Sequence, residues 1–455
     1  MNFSRLKIAY SLLFLGLILF TACSKDDELI PLPGISSFSP ESGAEGDEVI
    51  ITGENFSAIA SENIVKFDGI TATVNTASTA SLTVMVPEGA ISGKITVTVN
   101  GQTTTSTDDF NVRYISLTAG SFTSFILQPD HTLWATGYNG YGQFGDGLTT
   151  NASTPRKVME NVLAVATGGP HTLFLKTDHT VWAAGHNGYG QLGNGTNTST
   201  NTPQQIMEGV AAIATGGINS LILKEDHTLW ACGRNNYGQL GDGTTTNRNT
   251  PKQIMNNVKA MASSGEHTMI LKTDHTLWVT GNNEYGQLGD GTTTNVVTPK
   301  QIMSNVKAVA VGQLHTLILK EDHTLWATGL NEQGQLGIGS SNLYETTPQQ
   351  VMTDVKMMAA SSYGSHILIL KEDNTLWAAG DNGYGQLGDG TTATHNTPVQ
   401  IMEGVKAVAA GSIHSLILKE DDTLWASGYN KYGQLGDGTT TQQYMFVQVT
   451  LPEGK

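Results

Sequence analysis

Residues 274–291 read Asp274-His-Thr-Leu-Trp278-Val-Thr-Gly281-Asn-Asn-Glu-Tyr285-Gly-Gln-Leu-Gly-Asp290-Gly291, and close copies of this stretch occur seven times after Tyr114. The seven tryptophans of the protein mark the copies: Trp134, Trp182, Trp230, Trp278, Trp326, Trp377 and Trp425, spaced 48, 48, 48, 48, 51 and 48. A period of that length, kept over so many units, identifies a repeat architecture in which each unit buries its apolar faces against its neighbours.

Working outward from the tryptophan, four strands are predicted per unit. The first is small and apolar, as in Val162-Leu-Ala-Val-Ala-Thr167, the second is typified by His315-Thr-Leu-Ile-Leu-Lys320, the third by Thr324-Leu-Trp-Ala-Thr328 and the fourth by Pro299-Lys-Gln-Ile-Met303. A strand with one wet face alternates apolar and polar residues, so three consecutive aliphatics in the second strand require cover on both faces. Four-stranded sheets stacked face to face around an axis supply that cover, and a first strand rich in Ala suits the narrow inner edge of each blade. From Tyr114, seven units occupy 48 × 7 + 3 = 339 residues and end near residue 452 of 455, which predicts a closed circle. Closure is expected where Val447-Gln-Val-Thr450 meets Ile115-Ser-Leu-Thr118. The predicted fold class is therefore all-β, an immunoglobulin-like β-sandwich followed by a seven-bladed β-propeller over 114–455.

The unit resembles the regulator of chromosome condensation repeat, through Gly312-Gln-Leu-His-Thr316, Gly281-Asn-Asn-Glu-Tyr-Gly-Gln-Leu-Gly289 and the later Pro299. The resemblance covers residues 114–455 and implies a seven-bladed propeller. Eukaryotic members include a guanine-nucleotide exchange factor and chromatin binder, which implies a GTPase regulator as one alternative function. The family's Trp beside the strand-ending Gly is here Thr, Ala, Cys or Ser, with Trp two residues earlier.

Residues 34–113 show short alternating runs such as Glu48-Val-Ile-Ile-Thr52 and Lys94-Ile-Thr-Val-Thr-Val99 between Gly, Pro, Asn and Asp turns, the pattern of an antiparallel sandwich. Ile35-Ser-Ser-Phe-Ser-Pro40-Glu-Ser-Gly43 followed by Gly46-Asp-Glu-Val-Ile-Ile-Thr-Gly53-Glu-Asn-Phe56 is similar to IPT/TIG domains. Residues 1–22 read as a signal peptide, with Arg5 and Lys7 before a largely apolar run from Ile8 to Phe20, too short to span a bilayer. Phe20-Thr-Ala-Cys23 resembles a bacterial lipobox, which implies lipidation at Cys23. The acidic stretch after it, in a linker over 23–33, resembles the tag of lipoproteins facing outward from the outer membrane. An exported, lipid-anchored chain is expected.

The formal net charge of −16, with 40 acidic against 24 Lys and Arg residues, argues against a nucleic-acid partner. Cys232 is expected to be a core residue. His171, His267, His315, His366 and His414 occupy one position in five units and are expected to make hydrogen bonds between blades, since a metal needs ligands converging on one point. His131, His179, His227, His275 and His323 read as hairpin turn residues, and Asp146, Asp242, Asp290, Asp389 and Asp437 as Asx-turns. Neither a catalytic set nor a cofactor or metal site is predicted, and a monomer is expected.

Functional variation is expected where the copies differ. The residue after the strand-ending Gly is Tyr138, His186, Arg234, Asn282, Leu330, Asp381 and Tyr429, and the paired positions Ser121-Phe122 through Ser412-Ile413 vary with it. Antiparallel connectivity puts both sets at one end of the propeller, also the end of an insertion at Ser361-Ser-Tyr-Gly364. This end is the predicted binding face for an unknown protein or glycan, in a non-enzymatic adhesion or binding scaffold. A polysaccharide-active enzyme, which would need acid and base groups in the central channel, is the further alternative.

Overall fold

The computed structural model describes residues 31–450 other than 88, 89, 91 and 114. The segment 1–22 expected to be a signal peptide, Cys23 and Tyr114 lie outside the described residues. The chain divides into two compact units, one ending at Val112 and the other beginning at Arg113.

The N-terminal unit is a β-sandwich. One sheet has the order Gly34–Ser39, Glu48–Glu54, Ser81–Met85, Val74–Ala77, and the other Ser42–Ala44, Gln102–Arg113, Gly93–Val99, Asn63–Phe67, Ile70–Ala72. Alternation selects the core: Val49, Ile51, Leu82 and Val84 point inward from the first sheet, and Val65, Phe67, Ile95, Val97 and Phe110 from the second, all essentially without solvent contact.

The C-terminal unit is a seven-bladed propeller of four-stranded antiparallel sheets, each formed from four consecutive strands. The fifth blade shows the pattern: Val306–Val311, His315–Lys320, Leu325–Leu330 and Tyr344–Met352. Its second strand is covered on both sides, as the run of aliphatics requires. Ile318 packs with Met269 and Leu271 of the fourth blade, while Leu317 and Leu319 pack with Ile367 and Ile369 of the sixth. Each such buried side chain stabilises the stack by about 1.5–3 kcal/mol. Gly281 ends the third strand at φ +111°, a conformation that side chains rarely adopt, and a Cβ there would lie 2.4 Å from the Glu266 carbonyl oxygen.

At the seam the last strand, Gln443–Val449, pairs its backbone with Leu424–Gly428 inside its own blade and meets 115–118 through side chains. It lies at the outer edge of its blade, whereas Ser116–Ala119 lies at the axis and packs face to face with Val405–Ala410. Val449 reaches Ile115 and Leu117 only through a shared apolar cluster. The seam repeats the bonds of every other blade junction. Gly438 N–H donates to the Ser153 carbonyl at 2.9 Å, as Gly147 does to Asn201 and Gly291 to Thr346.

Candidate ligand-binding face

The conserved skeleton of each blade is spent on holding its loops. In the fourth blade, Asn283 Nδ2 donates to Asp290 Oδ1 and to the Thr292 carbonyl, while Asn283 Oδ1 accepts the Leu288 N–H. Asp290 Oδ1 also accepts the Thr292 N–H and hydroxyl, the expected Asx-turn, and its second oxygen accepts from Lys300 at 2.7 Å. The second histidine set sits at the hairpin position with φ near +60°, as in His275 (+64°), where turn chemistry rather than ligation is needed. Cys232 is buried, and burial pushes its thiol up to about 12, leaving it an inert core residue.

The first histidine set links neighbouring blades. His171 Nε2 bonds Ser220 Oγ at 2.9 Å, His267 bonds Thr316 Oγ1 at 3.0 Å, His366 bonds Ser415 Oγ at 3.0 Å, and His414 bonds Ser124 Oγ at 3.0 Å across the seam. Each hydroxyl passes its own hydrogen to a Gln carbonyl of the histidine's blade, for example Ser124 to Gln434 at 2.7 Å. His315 breaks the series, because the residue opposite it is Ile367 in place of Ser or Thr.

At the end carrying the loops between strands one and two and between strands three and four, aromatic side chains form a continuous arc. Tyr384 meets Tyr429 at 5.1 Å between ring centroids, Tyr429 meets Tyr432 at 6.3 Å, and Tyr432 meets Tyr138 at 5.1 Å. The arc continues from Tyr138 to Tyr141 at 6.0 Å, to His186 at 5.2 Å and to Tyr189 at 6.4 Å, with Phe122 against Tyr432 at 5.4 Å. Arg234 extends it into the third blade, its guanidinium 6.0 Å from the Tyr189 ring and 5.4 Å from that of Tyr237. Edge-to-face contacts of this kind fix the rings while leaving their outer faces free. Tyr141, Tyr189 and Tyr384 remain 45%, 39% and 41% exposed.

The arc borders a cleft of about 570 Å³ lined by Ser121, Phe122, Thr123, Tyr138, Tyr141, Gln143, Gly169, Pro170, Tyr363, Ser412, Ile413 and Tyr432. Burial raises the Tyr138 hydroxyl above its ordinary value, helped by Tyr141 and Tyr432, and lowers His186, whose Nδ1 meets Gln191 Nε2 at 2.8 Å. Both are therefore neutral near pH 7.

The inserted loop forms the floor. Tyr363, from the sixth blade, crosses toward the third, so that a Cβ on Gly217 would stand 2.2 Å from its hydroxyl and one on Gly169 3.0 Å from its ring. Ser362 Oγ donates to the Gly168 carbonyl at 3.4 Å, and Gln313 N–H donates to the Gly364 carbonyl at 3.3 Å. Burial raises the Tyr363 hydroxyl as well, with the Arg234 charge opposing. Beyond this floor a channel of about 260 Å³ is lined by the first strands, through Ala, Val, Ile, Met, Thr and Ser side chains, without carboxylate or imidazole among its described lining residues.

The seven variable positions separate. Tyr138, His186, Arg234 and Tyr429 join the aromatic arc. Asn282, only 3% exposed, donates to Glu266 at 2.7 Å and accepts the Glu284 N–H. Asp381 accepts the Gly383 N–H at 3.0 Å, and half-buried Leu330 ends a strand opposite Tyr344. Those three are engaged in local structure. The tyrosine that precedes Gly-Gln-Leu-Gly, or Gly-Gln-Phe-Gly in the first blade, was absent from the sequence-based set. It is Tyr141, Tyr189, Tyr237, Tyr285, Tyr384 and Tyr432 in six blades and Gln333 in the fifth. The turn uses only its backbone, as Gln191 Oε1 accepts the Tyr189 N–H at 3.0 Å. Of the 13 tyrosines, all except Tyr10 and Tyr114, which lie outside the described residues, belong to this end or its rim. The tryptophans lie toward the other end, each indole N–H donating to a hairpin threonine, as Trp278 does to Thr276 at 3.0 Å.

A closed circle of seven blades with a rigid loop end defines a propeller scaffold. The sequence matches the RCC1-like domain over 89–365 and 208–454, and the chain belongs to that family. Residues 33–114 match the IPT/TIG domain. Within the overlap at 89–114, residues 93–99 and 102–110 pair with each other in the sandwich. Prp20p from Saccharomyces cerevisiae superposes with a TM-score of 0.64 at 22% identity, covering 74% of this chain and 88% of that one. Human WBSCR16 gives 0.61 at 24% identity, covering 68% and 87%. At such identities the likeness is one of fold.

Proposed function

We propose that this protein is an exported, lipid-anchored scaffold that binds an external protein or glycan at the aromatic loop end of its propeller, without catalysing a reaction on it. The observation that carries this reading is the arc of rings from Tyr384 to Arg234, which borders a cleft of about 570 Å³ on a rigid frame. Large amphipathic rings are typical anchors of binding sites because they bury much area at little conformational cost. The cleft's described lining is aromatic and hydroxyl-bearing, without Asp, Glu, His, Lys or Cys, which supports a binding role for it. Binding to Gsp1p and histones is described for Prp20p and belongs to that protein. The leader-like pattern of residues 1–22 and the lipobox-like Phe20-Thr-Ala-Cys23 support a ligand outside the cytosol.

The test is an array of glycans and extracellular proteins probed with the chain from Cys23 onward and with a Tyr138→Ala/Tyr432→Ala variant. Two lost aromatic contacts should weaken the captured ligand roughly ten- to a hundred-fold. Equal capture by both proteins would refute the assignment of this face.

A further inference from the structure

We infer that the cleft receives the terminal sugar of a neutral oligosaccharide, an inference that rests on the binding reading above and names its ligand class. Three observations converge on it.

The first is the wall. Tyr138, Tyr141, Tyr432 and Phe122 supply flat apolar faces set by edge-to-face contacts, and a pyranose ring presents a matching apolar face of C–H groups. The volume lies within the range of small-ligand sites, roughly 300–1,000 Å³.

The second is the polarity between the rings. Ser412 is only 6% exposed, lines the cleft, and its Oγ has no hydrogen-bond partner among the described residues. A buried hydroxyl without a partner is destabilising, and a ligand that both donates and accepts removes that penalty. Sugar hydroxyls do so, whereas an aliphatic peptide side chain does not. The tyrosine hydroxyls around the cleft have the same dual character. The lining itself holds no charged side chain, and the guanidinium of Arg234, outside it, already occupies the faces of Tyr189 and Tyr237 that would attract a cation.

The third is the floor. Tyr363 and its loop bridge from the sixth blade to Gly168, Gly217 and Gln313, so a chain cannot thread from the cleft into the channel. Three successive blades carry glycine where the loop passes, Gly169, Gly217 and Gly265, and this makes room for the ring. A cleft closed at its inner end accommodates a chain end.

The experiment is a calorimetric titration of the intact chain from Cys23 onward with α- and β-linked hexasaccharides of glucose, mannose and galactose, and with a galacturonic acid hexamer. A neutral saccharide should bind, with one protein per saccharide chain both for the hexamer and for a long polymer of the same linkage. Tyr432→Ala should weaken that binding roughly ten-fold. Ser412→Ala should weaken it several-fold with Tm unchanged or slightly raised, while Lys259→Ala at the opposite, hairpin end leaves it intact. Binding of the uronic acid hexamer as tightly as of its neutral counterpart, or many proteins along one polymer, overturns the inference. So does the absence of heat with every neutral hexamer; if the Tyr138→Ala/Tyr432→Ala variant nevertheless loses a captured protein on the array, the binding face stands and only the sugar falls.

Discussion

Replacing His267 and His315 by leucine, one at a time, should have different outcomes although the two occupy the same position of successive blades. Both are fully buried. Thr316 Oγ1 donates to the Gln287 carbonyl at 2.8 Å, so its bond to His267 at 3.0 Å is donated by Nε2–H. That fixes Nδ1 as the acceptor of the Ser264 hydroxyl at 2.8 Å. Leucine at 267 deletes two hydrogen bonds and leaves the Ser264 hydroxyl without its acceptor, which costs about 2–3 kcal/mol. At 315 neither nitrogen has a protein partner, since Ile367 stands where a hydroxyl would be, and leucine removes an unsatisfied polar group. The expected change there runs from zero to about 1 kcal/mol of stabilisation, leaving a gap of about 3 kcal/mol between the variants. Differential scanning calorimetry should separate the two by roughly 4 °C or more, from the usual dependence of Tm on stability in large domains. Equal destabilisation by both would refute the inter-blade role assigned to these histidines. Ile367→Thr should restore the missing bond at the expense of buried apolar packing, so its loss of Tm should be smaller in the parent than in the leucine variant at 315.

The buried histidines also predict acid sensitivity. Burial holds His171, His267, His315 and His414 at about 3 and His366 at about 4. The folded state therefore stays neutral while the unfolded chain takes up protons below its ordinary value near 6.5, so this stability is complete above that pH and is lost as pH falls toward the folded values. Each histidine costs about 2 kcal/mol by pH 5 and the five together on the order of 10 kcal/mol, so chemical unfolding should be far easier at pH 5 than at pH 7, and a flat profile would contradict the burial. Gly217→Ala should displace Tyr363 and lower Tm, and Tyr363→Gly in the same chain should recover most of the loss, as measured by a double-mutant cycle. For the anchor, cells fed a labelled fatty acid should incorporate it into the parent chain and not into Cys23→Ser; labelling of both would exclude attachment at Cys23.

The fold was legible because the sequence contains seven trials of one solution. The tryptophan period, the doubly covered aliphatic run and the count ending near residue 452 each constrain the same architecture. The seam was less legible, since periodicity gives the number of blades but not which strand edge already has its partner. For the aromatic end, comparison among copies singled out Tyr138 and Arg234, which the structure places in the arc. It passed over Tyr141 and its equivalents, because they are nearly as uniform as the Gly-Gln-Leu-Gly turn beside them. Exposure, which the sequence does not display, tells the two apart. The Tyr363 loop occurs once, so no second copy revealed that its ring crosses to Gly217. Asn282 looked free by variation, yet it is buried and bonded to Glu266.

Hydroxyl-radical footprinting of the ligand-bound protein tests the central claim most directly, because tyrosines and tryptophans report on opposite ends of the propeller. Binding at the aromatic loop end should protect Tyr138, Tyr141, Tyr189 and Tyr432 while the labelling of Trp182, Trp230, Trp278 and Trp326 stays unchanged. Protection of the tryptophans with the tyrosines still reactive would contradict it.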